Sequence, residues 1–365
     1  MAEAQRLDII DIIKGIAIIM IVNVHLISGP FFTIGETFHV IAFFFTSGMV
    51  HALNEKWEKS SFGQFVKQRS TRLLYPYLML SICYIAFHLI LNLIRGEAVF
   101  NEVIVDALVK TVTLKGIGTL WFLPILFIGE LLFFYAKQRK IKDRIIILAG
   151  FLTICLSSLL NYKGVCGVHW YGDHSVYGLL INNPVSILLA GMIVTLFIDT
   201  GYLLVNKYEL LFRTGLENKK SFLIVTIICI VSFLIDFICI KYYVGDLHKL
   251  NIGDPLIYIL CSVSGLTFIC CLSLLISRLS GFVSSTFKFW GKGSLIIMTT
   301  HTEYYINSVV YLVVTNLLLA LNINMGDKML SGISLIIIML LESGIVYIVN
   351  NTFLRNLYIF PNKRR

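Results

Sequence analysis

Asp8-Ile-Ile-Asp11-Ile-Ile-Lys14-Gly15-Ile-Ala-Ile-Ile-Met20-Ile-Val-Asn23-Val-His25 is apolar enough to enter a bilayer, yet a lysine stands near its start and a histidine near its end. Eleven helical residues turn through about 1100°, three turns and a small remainder, so Lys14 and His25 fall on one stripe about 16 Å apart along the axis. A cation and an imidazole aligned through membrane depth are costly unless something binds between them. The run therefore predicts a membrane span that carries chemistry.

The rest of the chain agrees on class. Of 365 residues, 57% are hydrophobic and 14% charged, where a soluble domain would carry roughly 25% charged residues. The apolar residues arrive in runs of about twenty between short charged segments, the pattern of a polytopic membrane protein. We place spans at 9–28, 37–53, 74–94, 119–136, 145–161, 180–199, 221–241, 255–276, 294–321 and 329–350, an all-α chain of about ten transmembrane helices. Of the 30 Lys and Arg residues, 23 fall on one set of alternating loops and 7 on the other. That bias puts both termini in the cytoplasm. Residues 95–118 read as an amphipathic surface helix. With no linker, repeat or appended soluble region, one membrane domain is expected over 1–365, its core about 6–352. Asp8 and Asp11 before the first run, and no small-residue cleavage site after it, predict a retained anchor.

The net charge of +9 sits in loops beside spans, where topology selection explains it, so nucleic-acid binding is not expected. Seven of the eight cysteines fall inside spans and Cys166 in an outer loop, without a CxxC pair. Neither disulfides nor a metal site are expected.

His25, late in the first span, and His39, early in the second, are predicted at similar depth after a turn through Ser28-Gly29-Pro30. Arg69 and Arg72 open the third span at i and i+3, which predicts both guanidinium groups on one helix face, able to clamp phosphates; anchoring at the inner edge alone would also put arginines there. Glu130, Asp236, His301, Glu303 and Glu342 are further polar residues within spans. For Asp236 and Glu342 we expect structural pairing between helices. His301 and Tyr305, at i and i+4, are predicted on one face of the ninth span. Trp121 opens the fourth span as an interfacial aromatic.

Several stretches together resemble the integral-membrane acyltransferase family 3, and within it the fucose 4-O-acetylase-like branch. They are Lys14 through His25; Phe38-His39-Val-Ile-Ala-Phe-Phe-Phe-Thr-Ser47-Gly48; Phe65-Val-Lys-Gln-Arg69-Ser-Thr-Arg72-Leu-Leu-Tyr-Pro76-Tyr; Trp121-Phe-Leu; and Gly291-Lys-Gly-Ser294-Leu-Ile-Ile followed by His301. Lys14 takes the place of the family's arginine, keeping the charge and losing the planar fork. The resemblance implies an O-acyltransferase of a bacterial cytoplasmic membrane that moves an acetyl group from cytoplasmic acetyl-coenzyme A to a hydroxyl of a cell-surface or lipid-linked glycan. No tightly bound cofactor is implied.

Lys14, Arg69 and Arg72 are expected to hold the acyl-CoA. His25 is expected as general base, with His39 beside it orienting the acceptor or His25. Asn23, Thr46, Ser47, Trp121 and His301 are supporting candidates. Expected partners are the acyl-CoA, the glycan acceptor and membrane lipids; a homo-oligomer is compatible with the sequence. Succinyl transfer and a non-enzymatic glycan flippase or exporter are the alternatives. Against transport stand the prolines at span ends and the lack of repeats.

Overall fold

A computed structural model describes residues 8–26, 36–98, 102–163, 182–214, 216, 219–243, 245–279 and 281–361. The turn at 28–30, Cys166 and the basic residues Lys363 to Arg365 lie outside the described residues. The described elements are helical, apart from one isolated antiparallel bridge between Asp246 and Asn251.

In chain order the helices are α1 (Asp8–Val24), α2 (Ile41–Leu53), α3 (Phe62–Arg95), α4 (Glu102–Val112), α5 (Phe122–Gln138) and α6 (Asp143–Tyr162). They continue as α7 (Asn183–Thr214), α8 (Lys219–Cys239), α9 (Pro255–Ile276), α10 (Gly281–Lys292), α11 (Ser294–Thr300), α12 (Ile306–Ala320), α13 (Asp327–Asn351) and α14 (Arg355–Tyr358). The ends follow local chemistry. Ser61 and Gln64 form a reciprocal capping box at the start of α3, which satisfies two orphan backbone donors. Asp254 caps α9 with Pro255 at its first position. Gly96 ends α3 in the left-handed region at φ 68°, the conformation a glycine adopts without steric cost.

Among the described residues, seven helices are long and apolar enough to cross a membrane: α3, α5 with its preceding turn, α6, α7, α8, α9 and α13. The chain is an integral membrane protein. Along α8, Phe222, Leu223, Ile227, Ile230, Leu234, Phe237 and Ile238 are all exposed, a face suited to lipid.

Three of the ten expected spans depart from that form. The first is a 17-residue helix with Asp8, Asp11 and Lys14 on it, and the second is a 13-residue apolar helix. The span expected over 294–321 is two helices, α11 and α12, separated by a turn over 301–305. Two backbone bonds close this interruption locally. Tyr305 N–H donates to Thr302 O (3.0 Å) and Asn307 N–H to His301 O (2.9 Å), the condition for irregular backbone at membrane depth. Tyr305 takes φ 61°, a left-handed conformation unusual for a bulky residue. His301 and Tyr305 therefore lie in a turn and not on one helical face. Helix α10 was read as inner loop; the expected surface helix near 95–118 is α4.

The chain divides into two compact units, each drawn from several stretches. The first comprises 1–55, 197–245 and 253–347; the second comprises 56–196, 246–252 and 348–365. In the first unit α1 is the core helix, packed against α10, α9, α2 and α11. Glycines allow this. A Cβ on Gly15 would run into the Phe287 carbonyl, and one on Gly291 into the Asp11 carbonyl. Likewise Gly48 on α2 abuts Ile198 O on α7, and Gly201 on α7 abuts Phe45 O. Small residues at helix crossings let backbones touch, the main source of packing where lipid removes the hydrophobic drive. In the second unit α3 packs on α5, α4 and α14, with Phe65 stacked on Phe134 at 4.1 Å.

The substitution Gly15→Val should lower the thermal midpoint in detergent by an amount equivalent to about 1–3 kcal/mol, because backbone cannot yield as a side chain can. Gly63→Ala and Gly281→Ala, which meet nothing within 4 Å, should leave it unchanged. A Gly15→Val protein with the wild-type midpoint would contradict the packing argument.

Candidate active site

The candidate residues divide between the two units, and each group is described on its own. In the first unit, α1 carries Lys14, half-buried, and Asn23, fully buried; His25 follows the last turn of the helix and is exposed. The Nδ1 of His25 lies 2.8 Å from the Ile21 carbonyl oxygen. A carbonyl only accepts, so Nδ1 bears a proton, and in the neutral ring the lone pair is on Nε2. His25 also meets His301: the rings are 5.1 Å apart at 67°, and His301 Nε2 is 3.3 Å from His25 Nδ1. His301 is fully buried at the interruption between α11 and α12. Its own Nδ1 is 2.7 Å from Ile297 O.

His39 was expected beside His25. Among the described residues the imidazole that His25 contacts is that of His301. His39 sits half-buried in the turn before α2, directly after two anchored residues. Thr37 donates to Asp236 Oδ2 at 2.9 Å, and Phe38 meets Phe268 edge-to-face at 6.0 Å. Ser47 is half-buried on α2. Thr46 donates its one hydroxyl proton to Phe43 O (3.0 Å), so that proton is not available to an oxyanion.

Two buried acids of this unit engage hydroxyls of other segments. Asp236 on α8 receives Thr37 and also Ser264 on α9 (3.4 Å); Glu342 on α13 lies 2.6 Å from Thr300 Oγ1. This is the expected pairing between helices. Asp11, His51 and Asp199 are also buried polar residues that the sequence reading did not single out. Asp11 was counted with the charged flank, although an acid inside an apolar run was the available signal.

In the second unit Arg69 and Arg72 part company. The helix widens into a π-helical turn over Ser70–Leu74, and added residues per turn rotate an i, i+3 pair apart. Arg69 is 8% exposed. Its Nε is 3.3 Å from Glu130 Oε2, an ion pair without hydrogen-bond alignment, and its guanidinium lies 4.9 Å from the Phe65 ring centroid. Arg72 is exposed. The expected shared face is thus replaced by one inward and one outward guanidinium.

Trp121, half-exposed at the end of a 3₁₀ turn (Gly118–Trp121), stacks on His248 at 4.9 Å and 8°. Nothing in the sequence links residues 127 positions apart. Burial pushes the His248 imidazole down to about 4, against the pull of Asp246 and with the push of Lys110, Lys115 and Lys249. Its loop is fixed by backbone bonds between Asp246 and Asn251 and by Asn161 Nδ2 donating to Asn251 Oδ1 at 2.8 Å.

Among the described residues no group of three or more His, Cys, Asp or Glu could hold a metal ion. The chemistry offered is that of an exposed imidazole in one unit and an exposed guanidinium in the other.

Two predictions follow from these contacts. Breaking a buried ion pair leaves a charge uncompensated, at about 3–5 kcal/mol. Glu130→Ala should therefore lower the thermal midpoint strongly, while Arg72→Ala should not; equal midpoints would contradict the burial of the pair. His248 is held below its ordinary 6.5, so the unfolded loop binds the proton first. The docked loop should lose stability as pH falls from about 6.5 toward about 4 and be unaffected above it. The difference in tryptophan fluorescence between wild type and Trp121→Phe, followed from pH 8 to 4, should change in that window. His248→Ala should abolish the change.

No curated protein matches the chain. The family model described as an acyltransferase domain matches residues 7–348, nearly the whole chain and both units, and the protein belongs to this acyltransferase 3 family.

Proposed function

We propose that the protein is a membrane O-acetyltransferase, of the fucose 4-O-acetylase-like branch, that moves an acetyl group from cytoplasmic acetyl-coenzyme A to a hydroxyl of a cell-surface or lipid-linked glycan. The observation that carries the reading is the exposed imidazole of His25, held through Nδ1 by Ile21 O so that the lone pair of the neutral ring falls on Nε2, in a chain of an acyltransferase family. Loop charge supports cytoplasmic termini and, with the family, a bacterial cytoplasmic membrane. The short helices α1, α2 and α12 are compatible with a count near ten crossings.

In this reading His25 Nε2 takes the proton of the acceptor hydroxyl as its oxygen attacks the thioester carbonyl. The carbon–sulfur bond then breaks, and the imidazolium returns the proton to the departing coenzyme A thiolate. His39, which follows the anchored Thr37 and Phe38, contacts the acceptor, with Ser47 and Asn23 on the adjoining helices as further polar groups. Lys14 supplies positive charge on the helix that carries His25. In the second unit Arg72 is the guanidinium open to donor phosphates, and Arg69 with Glu130 stiffens the turn that presents it. Trp121 offers an aromatic face to a sugar. Succinyl transfer would use the same groups. The interrupted span between α11 and α12 also suits a glycan transporter, which the test separates.

Purified protein incubated with radiolabelled acetyl-coenzyme A and a panel of lipid-linked sugars should transfer label. His25→Ala should lower transfer by about 10²–10⁴-fold while retaining acetyl-coenzyme A binding. Arg72→Ala should weaken donor binding with the fold intact, a cleaner probe than Arg69→Ala, which also strands Glu130. Absence of label transfer by the wild type, with glycan movement across vesicles preserved, would establish the transport reading instead.

A further inference from the structure

Resting on the acyl-transfer reading and extending it, we infer that His301 is a positioning residue: its neutral imidazole fixes the tautomer of His25 and receives the His25 Nδ1–H when His25 becomes a cation.

Three contacts allow one proton arrangement. His301 Nδ1 faces the Ile297 carbonyl at 2.7 Å, so that nitrogen must donate; with a lone pair there, two acceptors would oppose each other. His301 Nε2 is then a lone pair, and it points at His25 Nδ1 at 3.3 Å. His25 Nδ1 meets a second acceptor, Ile21 O, at 2.8 Å. A single proton on His25 Nδ1, shared between Ile21 O and His301 Nε2, satisfies every contact. The alternative tautomer of either ring leaves lone pairs facing one another.

The arrangement is built by the chain interruption. His301 follows the last residue of α11, where its carbonyl is taken by the Asn307 N–H at 2.9 Å and its ring is fully enclosed. The ring is thus held by its own backbone and has one nitrogen left to present. When Nε2 of His25 accepts the hydroxyl proton, the shared Nδ1–H becomes a charge-assisted donor, stronger than a neutral one. His301 does not touch the reacting atoms in this scheme and acts through His25.

The test compares His301→Phe, which keeps a ring without an acceptor, with His301→Gln, whose amide oxygen can accept near the Nε2 position. His25→Ala is the reference, and all are full-length proteins in detergent. Acetyl transfer from labelled acetyl-coenzyme A to the lipid-linked sugar panel is measured for kcat and KM. The rate of His25 carbethoxylation by diethyl pyrocarbonate is measured separately, since it needs no acceptor.

Loss of a hydrogen bond to a forming cation predicts a kcat about 10- to 100-fold lower in His301→Phe, with the acetyl-coenzyme A KM unchanged. Carbethoxylation should slow in parallel, and His301→Gln should recover much of both. Wild-type kcat and labelling in His301→Phe, beside an inactive His25→Ala, would overturn this role and leave the acyl-transfer reading standing. Equal losses in the Phe and Gln variants, or a change in KM alone, would also overturn it. No transfer by the wild type would remove the acyl-transfer reading and this role with it, even if labelling still responds to His301.

Discussion

The close approach of α1 and α10 at Gly15 and Gly291 is the constraint on which the first unit depends. Each glycine places a neighbour's carbonyl where a side chain would otherwise stand. The contact brings α1 into the core, where all its residues from Ile9 to Ile13 are buried. Lys288 on α10 reaches Asp8 at the exposed start of the same helix, at 3.0 Å. A core helix with a fixed axis is what allows a residue at its far end, His25, to meet a side chain from another stretch at hydrogen-bond distance. Elsewhere the same device recurs. Gly129 on α5 and Gly191 on α7 admit Val194 and Ile128, and Thr195 donates to Gly129 O at 3.2 Å. Shape, more than burial of apolar area, selects helix neighbours where lipid competes for every apolar surface.

Much of this was legible in the amino-acid sequence, because membrane helices are announced by length and hydropathy. Apart from 294–321, the long apolar runs after residue 70 correspond to helices that can cross a bilayer, and Asp236 and Glu342 find hydroxyl partners on other segments as their types suggested. What was not legible depends on rotation and interruption. Ser294 to Leu321 is apolar enough to read as one span, yet the chain breaks at His301, and hydropathy does not record a turn whose backbone bonds are met from within. Arg69 and Arg72 keep α-helical spacing on paper. The π-helical turn between them adds rotation that no residue type announces, although Pro76 shortly downstream removes a donor and is compatible with such a widening. The Trp121–His248 stack joins residues far apart in sequence and could be found only in space.

The π-helical turn has a chemical consequence. Two guanidinium groups on one face would repel each other and would both need an anion to be stable near the membrane edge. Turning Arg69 inward gives it Glu130 and the face of Phe65 as permanent partners, while Arg72 stays in contact with solvent. The pair thus divides one role in two: Arg69 ties α3 to α5, and Arg72 carries charge outward on a helix that this tie holds still. A substitution at either arginine consequently reports on different physics, despite their adjacency in the sequence.

The choice of a histidine to face His25 also follows from where it sits. An acid in that position would orient the ring as well, but a carboxylate enclosed among apolar helices must be desolvated, at several kcal/mol, and needs a compensating cation. Two of the chain's buried acids sit elsewhere against hydroxyls, Asp236 with Thr37 and Ser264, and Glu342 with Thr300. At His25 it uses two backbone carbonyls and a neutral imidazole. Such a set fixes a proton's position without importing charge, and its attraction for His25 grows only when His25 gains a proton. On the proposed acyl-transfer reading, that selectivity for the charged state over the resting state is what would separate transition-state stabilisation from mere binding, and the interrupted helix brings the His301 ring to the end of α1.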